Sequence, residues 1–172
     1  MHDAGCRFPI INLPRTSVNR ALVAAGGYAN YMEDLQYLVN SPVTSRQLND
    51  LFASSWEGHQ WRDFEPVLWR TVLWRSLGYI CAWRGDELIG FVNLAWDGGI
   101  HAFVLDTTVH PLVRRRGVGR GLVKLAVELA RERGVEWVHV DFDRHLREFY
   151  YECGFRGTEA GLLHLNRWDE DC

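Results

Sequence analysis

Along residues 35–142 the spacing of apolar positions changes period several times, and each change marks an element. L-Q-Y-L-V at 35–39 reads as a strand. Thr44 opens T-S-R-Q, a capping box in which hydroxyl and amide side chains satisfy backbone N–H groups, ahead of a helix with Leu48, Leu51 and Phe52 on one face. Pro66 suits a helix first turn, and Val67, Leu68, Leu73 and Leu77 run on to Gly78, the expected terminating glycine. Y-I-C-A-W-R (79–84), E-L-I-G-F-V-N-L-A-W (87–96) and I-H-A-F-V-L-D-T-T-V (100–109) are β-rich and joined by short Gly/Asp turns, which predicts an antiparallel meander. Val118, Leu122, Leu125, Ala126, Leu129 and Ala130 then repeat at helical spacing up to Gly134, an amphipathic helix of about four turns. The nearly continuous apolar run V-E-W-V-H-V-D-F (135–142) suits a strand covered on both faces, so that strand, helix and strand make a right-handed β-α-β crossover.

The first 31 residues are unlike the rest. They hold no sustained period, are dotted with Pro9, Pro14, Gly5, Gly26 and Gly27, and precede Met32, which opens M-E-D-L-Q-Y-L-V-N as a start would. The expectation is a weakly ordered extension over 1–31 and one domain over 32–172, a length that supports a single hydrophobic core.

With 19 Lys+Arg against 22 Asp+Glu, the net charge of −3 excludes the overall basic field of a nonspecific nucleic-acid binder. Any anion site must be local. Cys6, Cys81, Cys153 and Cys172 are scattered, with no C-x-x-C pair and no histidine at zinc-ligand spacing, so neither a metal site nor a disulfide framework is expected. No apolar run reaches the ~18 residues of a membrane span. The expected location is the cytoplasm, away from membranes.

Charge does concentrate in V-H-P-L-V-R-R-R-G-V-G-R-G-L (109–122), between a predicted strand and a predicted helix. The first N–H groups of a helix lack intrahelical partners and sit at the positive end of its dipole, so a phosphate is the natural ligand. Gly117 and Gly119 let backbone amides approach it, and the arginines add charge. A P-loop would need G-K-[S/T], whereas Leu122 follows Gly121. A dinucleotide fold would want G-x-G-x-x-G, and although Asp141 lies near the distance expected of a ribose carboxylate, the antiparallel hairpins before the loop leave no room for a doubly wound sheet.

V109-H-P-L-V-R-R-R-G-V-G119 resembles the signature loop of the GNAT N-acetyltransferase superfamily, V-x-P-x-x-[R/Q]-x-x-G-x-[G/A], with every spacing kept. F149-Y-Y-E-C-G-F155 resembles the family's [F/L]-Y-x-x-x-G-F, and the order of elements from Leu35 to Leu165 matches as well. Asp143 and Leu146 depart from the Asn and Ala common before the tyrosine. The resemblance implies a mixed α/β fold: a mainly antiparallel central sheet, helices on both faces and a β-α-β core that binds acetyl-CoA. It implies that the backbone amides of Arg114, Arg115, Arg116, Gly117, Val118, Gly119 and Arg120 cradle the pyrophosphate, with guanidinium groups near the 3′-phosphate. Pantetheine would pair with backbone near Thr108 and Val109, where strands 100–109 and 135–141 splay apart.

The reaction so implied is acetyl transfer from the thioester to a primary amine. The amine must lose a proton and the departing thiolate must gain one. By its motif Tyr150 is the acid. The base is expected from strand 100–109, where alternation puts His101, Phe103 and Leu105 on one face and Asp106 on the other unless a bulge exchanges them. Asp106 is costly to bury without purpose, and Asp141 is a third candidate through a bridging water. Trp56, Glu57, His59 and Trp61, in the segment that lies over the acceptor site in the family, suit an amine held by cation–π and charge contacts. A small cationic or aromatic amine is the first expectation and a peptide or protein amine the second. A module that binds acyl-CoA without catalysis is the alternative class, no nucleic-acid partner is expected, and the eight tryptophans leave room for a homodimer.

Overall fold

A computed structural model describes residues 34–55 and 69–163 of the 172-residue chain. The expected extension over 1–31, the helix start at Pro66 and the aromatic segment 56–61 lie outside the described residues.

In chain order the elements are β1 (Leu35–Val39), α1 (Ser45–Ser55), α2 (Trp69–Arg75), β2 (Ser76–Arg84), β3 (Glu87–Trp96), β4 (His101–Val109), α3 (Val118–Glu132), β5 (Trp137–Val140) and α4 (Arg147–Glu152), with single 3-10 turns at Pro111–Val113 and Arg144–Leu146. The strands form one sheet in the order β1-β2-β3-β4-β5, antiparallel throughout except for the parallel β4–β5 pair that α3 connects. The capping box at the start of α1 is formed: Thr44 N–H donates to Gln47 Oε1 at 3.0 Å and Gln47 N–H donates to Thr44 Oγ1 at 3.2 Å.

Helices cover both faces of the sheet, as alternation along its strands requires. On one face α3 sets Val118, Leu122, Leu125, Ala126 and Leu129 against Ile80, Val92, Leu94, Ala102 and Val104. On the other, α1 and α2 set Leu48, Leu51, Phe52 and Trp69 against Cys81, Leu88 and Phe91. Phe91 is fully buried and meets the rings of Phe52, Trp69 and Tyr79. Trp69 keeps its indole N–H satisfied by donating to Asn49 Oδ1 at 2.8 Å.

Two expectations are corrected. Gly78 does not end a helix: α2 stops at Arg75 and Gly78 lies inside β2. Its smallness is a matter of space, since a Cβ there would lie 2.7 Å from Leu129 of α3. Nor is β5 covered on both faces. Val138 and Val140 pack toward α3, while Trp137 and His139 are exposed, because β5 is the edge strand and α1 and α2 do not reach it. In α2 the neighbouring tryptophans also part company, Trp69 entering the core and Trp74 standing 78% exposed.

Candidate active site

Strand β4 carries one more residue than β3 can match. Phe91 pairs with Thr108 and Asn93 with Leu105, so one residue of β3 faces two of β4, Asp106 and Thr107. This is a β-bulge, and Asp106 takes a left-handed conformation with φ 58° to make it. Strict alternation would have sent the Asp106 carboxylate toward α3. The bulge turns it to the face that carries Leu105 and Asn93, where Asn93 Nδ2 donates to its Oδ2 at 3.4 Å. Asn93 is 1% exposed and its Oδ1 is buried without a partner. Burial pushes the Asp106 carboxyl above the usual carboxylate range, and the Asn93 amide opposes the rise.

Just below the bulge the parallel strands diverge. Pairing of β4 with β5 covers His101–Val104 against Trp137–Val140 and stops there, whereas β4 runs on to Val109 paired with β3 on its other side. The outer edge of β4 from Leu105 to Val109 is thus turned to the gap, with backbone groups suited to hydrogen-bond an extended amide-bearing chain.

At the end of that gap lies the arginine-glycine loop. Arg115 (φ 62°) and Gly117 (φ 84°) are both left-handed, and Gly117 stands at the N-cap of α3 with no side chain capping the helix. The first bond of α3 is Gly121 N–H to Gly117 O at 3.0 Å, which leaves the amides of Val118, Gly119 and Arg120 without intrahelical acceptors. Together they form an anion-binding concavity. Gly119 has only ordinary contacts at 3.4 Å, to Phe149 and Val109, where a Cβ would sit, so packing within the chain does not demand its smallness. An outside group approaching the backbone would.

The arginines are not equivalent. Arg114 is a latch: its Nε donates to Val109 O at 3.1 Å and its guanidinium donates to Ser55 O at 2.5 Å, tying the loop to β4 and to the end of α1. Arg120 pairs with Glu152 of α4. Arg115 and Arg116 have exposed side chains at the loop tip.

Tyr150, on α4, is 5% exposed and enclosed by Phe142, Phe149 and Phe155 at ring separations of 4.9, 4.8 and 5.8 Å. Burial raises its pKa above the ordinary phenol value. The Thr107 side chain acts in the opposite sense, although Thr107 Oγ1, also buried, meets no group at strict hydrogen-bond geometry. The bulge residues Asp106 and Thr107 thus link β3 to Tyr150. Thr108 is buried beside them, its hydroxyl donating to Asp106 O at 3.1 Å.

Other candidates stand apart. His101 is five residues from Asp106, about 16 Å along an extended strand, and its Nδ1 contacts His139 Nε2 at 2.8 Å. Asp141 is exposed just past the end of β5. Trp56, Glu57, His59 and Trp61 lie outside the described residues. The Cys81 thiol is in the core beneath α1, its pKa pushed up to about 12 by burial, which rules out a ready thiolate there. Among the described residues no three His, Cys, Asp or Glu side chains gather to hold a metal ion, and no helix is long and apolar enough to cross a membrane.

Sequence reasoning missed Asn93 and Thr107. A lone Asn inside the apolar run E-L-I-G-F-V-N-L-A-W was a usable sign, since a buried amide is costly without a partner.

Comparison with known proteins places residues 46–155 on the sequence pattern of the Acetyltransferase (GNAT) family. An "Uncharacterized N-acetyltransferase ycf52-like" of Prochlorococcus marinus is 26% identical over 105 residues, which cover 56% of this chain and 58% of that protein. A "Probable glucosamine 6-phosphate N-acetyltransferase 2" of Oryza sativa subsp. japonica is 40% identical over 65 residues, 38% of each. The chain spans less than two thirds of the length of these curated relatives. Among solved structures, a GNAT family acetyltransferase of Streptococcus pneumoniae superposes with a TM-score of 0.61 at 23% identity, covering 77% of this chain and 98% of that one.

Proposed function

Because the chain belongs to the Acetyltransferase (GNAT) family, we propose that it transfers an acetyl group from acetyl-CoA to a primary amine. Acetyl-CoA, when bound, supplies an activated thioester. The chain's own residues fit it. The uncapped amides of Val118, Gly119 and Arg120, with the left-handed Arg115 and Gly117 before them, would hold the pyrophosphate, and the open edge of β4 near Thr108 and Val109 would pair with pantetheine. Arg115 brings positive charge to further phosphate, Arg120 contributes its backbone amide while its side chain pairs with Glu152, and Arg114, whose amide donates to Pro111 O and whose guanidinium is bound to Val109 O and Ser55 O, holds the loop in place.

Asp106 is the base in this reading. It takes a proton from the acceptor ammonium, leaving a neutral amine able to attack. Tyr150 keeps its phenolic proton at neutral pH because burial raises its pKa, and gives that proton to the departing thiolate. His101 is set aside by its distance from the splay, and Asp141 by its exposure on the far side of the gap.

The acceptor is read as a small cationic amine. The Asp106 carboxylate, with Asn93 Nδ2 on one oxygen, keeps further acceptor capacity that an ammonium would satisfy. That the rice relative is named for an amino-sugar phosphate supports a small-molecule acceptor over a peptide one.

The observation that carries the proposal is the divergence of β4 from β5 at Val104, directly before the bulge. It is tested by calorimetric titration with acetyl-CoA, followed by a thiol-release assay over a panel of amino sugars, polyamines, arylamines and peptides. Binding with release on a small amine supports it. Release on peptides alone would move the acceptor class, binding with no release would make the chain an acyl-CoA-binding module, and no binding would overturn the reading of the loop.

A further inference from the structure

Withdrawing a carboxyl group from water favours its neutral form, and a neutral acid accepts no proton. If Asp106 is the base, something in the bulge must counter its burial. Two influences act on it, burial and the Asn93 amide, and they oppose each other. Among the described residues no charged side chain takes part. From α1, Ser55 reaches only the end of β4, its Oγ donating to Val109 O at 3.3 Å. On the α4 side Thr107 leads to Tyr150, an uncharged phenol at neutral pH. The neighbour on β3 is the amide itself.

The orientation of that amide is informative. Nδ2 is turned to Asp106 Oδ2 and Oδ1 is left buried with no partner. Turned over, Oδ1 would face the carboxyl, an arrangement that suits only a protonated acid. As turned, the amide presents a donor to the carboxyl, a contact that is stronger to the anion than to the neutral acid. Asn93 sits inside β3, its backbone paired with Tyr79 of β2 and Leu105 of β4, so it offers that donor from a strand held on both sides.

We propose that Asn93 is a positioning residue for the base: its Nδ2 holds the Asp106 carboxylate in the β4 bulge in the ionised form that takes the acceptor's proton. The assignment rests on the acetyltransferase reading above. Asn93 acts through Asp106 and touches neither the thioester nor, in this role, the amine.

The test is a direct titration. In the full chain with ¹³C-labelled aspartate, the Asp106 carboxyl resonance, assigned by its loss in Asp106→Asn, is followed against pH in the wild type, Asn93→Leu and Asn93→Thr. The pH profile of kcat/KM is recorded for the same proteins. Loss of the donor in Asn93→Leu is expected to raise the Asp106 midpoint by about one pH unit, the tenfold effect typical of a hydrogen bond to a charged group. The acid limb of kcat/KM should move with it, so that activity falls about tenfold at low pH and recovers above the new midpoint. Asn93→Thr, which keeps a hydroxyl donor and a strand-forming side chain, should shift both less, and it carries the test if the leucine variant does not fold. A midpoint that stays put, one that falls, or a loss of activity uniform across pH would overturn the proposal. A midpoint that rises in a protein with no transferase activity would uphold the Asn93–Asp106 coupling and overturn the reading of Asp106 as a base.

Discussion

A Cβ on Gly121 would come within 2.6 Å of Cζ of Tyr37, whose hydroxyl donates to Val118 O at 3.3 Å. The last glycine of G-V-G-R-G therefore exists for the contact between α3 and β1, not for an anion. Gly121→Ala should destabilise the domain by about 1–3 kcal/mol through overpacking of a well-fitted site. Tyr37→Leu in the same chain should recover most of that loss, because the clash is with the ring. Urea denaturation of the single and double variants measures the coupling, and additive effects would count against the contact.

Arg114 and Arg115 should separate cleanly. Arg114→Ala removes hydrogen bonds to Val109 O and Ser55 O, so a loss of about 1–2 kcal/mol in stability is expected along with weaker acetyl-CoA binding. Arg115→Ala should change stability by no more than about 0.5 kcal/mol, while lowering acetyl-CoA affinity and flattening its dependence on salt. Thermal denaturation with parallel calorimetry distinguishes a latch from a phosphate contact.

Asp106 makes stability depend on pH with a definite sign. Its folded pKa lies above the unfolded value, so the folded state binds the proton more tightly: the contribution is fully present below the unfolded pKa near 4 and is lost as pH rises through the folded one. Asp106→Asn abolishes the titration and keeps a residue type that tolerates φ 58°. The variant should be more stable than the wild type at pH 7 and gain nothing near pH 3. Its turnover should fall by about 10²-fold or more, whereas His101→Ala should leave the acid limb of the pH profile where it is.

Tyr150→Phe keeps the rings of Phe142, Phe149 and Phe155 packed and removes only the hydroxyl. Turnover should fall by about 10²-fold with acetyl-CoA affinity changed no more than a few fold, the pattern of a proton donor. Comparable losses in binding and turnover would make the tyrosine a packing residue. In the wild type the alkaline limb should lie above the ordinary phenol range, since burial raises this pKa.

Local chemistry made much of the protein legible in advance. The Thr44 capping box, the meander, the helix from Val118 and the arginine-glycine loop follow from hydrogen-bonding capacity, turn residues and period, each written within a few neighbouring positions. The sequence by itself therefore determined the order and type of the elements from β1 to β5 and the presence of a phosphate-suited helix start. Tertiary structure decided what depends on residues distant in the chain. Gly78 is explained by Leu129 and Gly121 by Tyr37, both close approaches between elements that no local period encodes. The exposed side of β5 follows from which faces α1 and α2 reach. The side to which the Asp106 carboxylate points, on which its proposal as the base rests, turned on a single bulge, because one extra residue in β4 reverses that side, and only the pairing with β3 shows where that residue is placed.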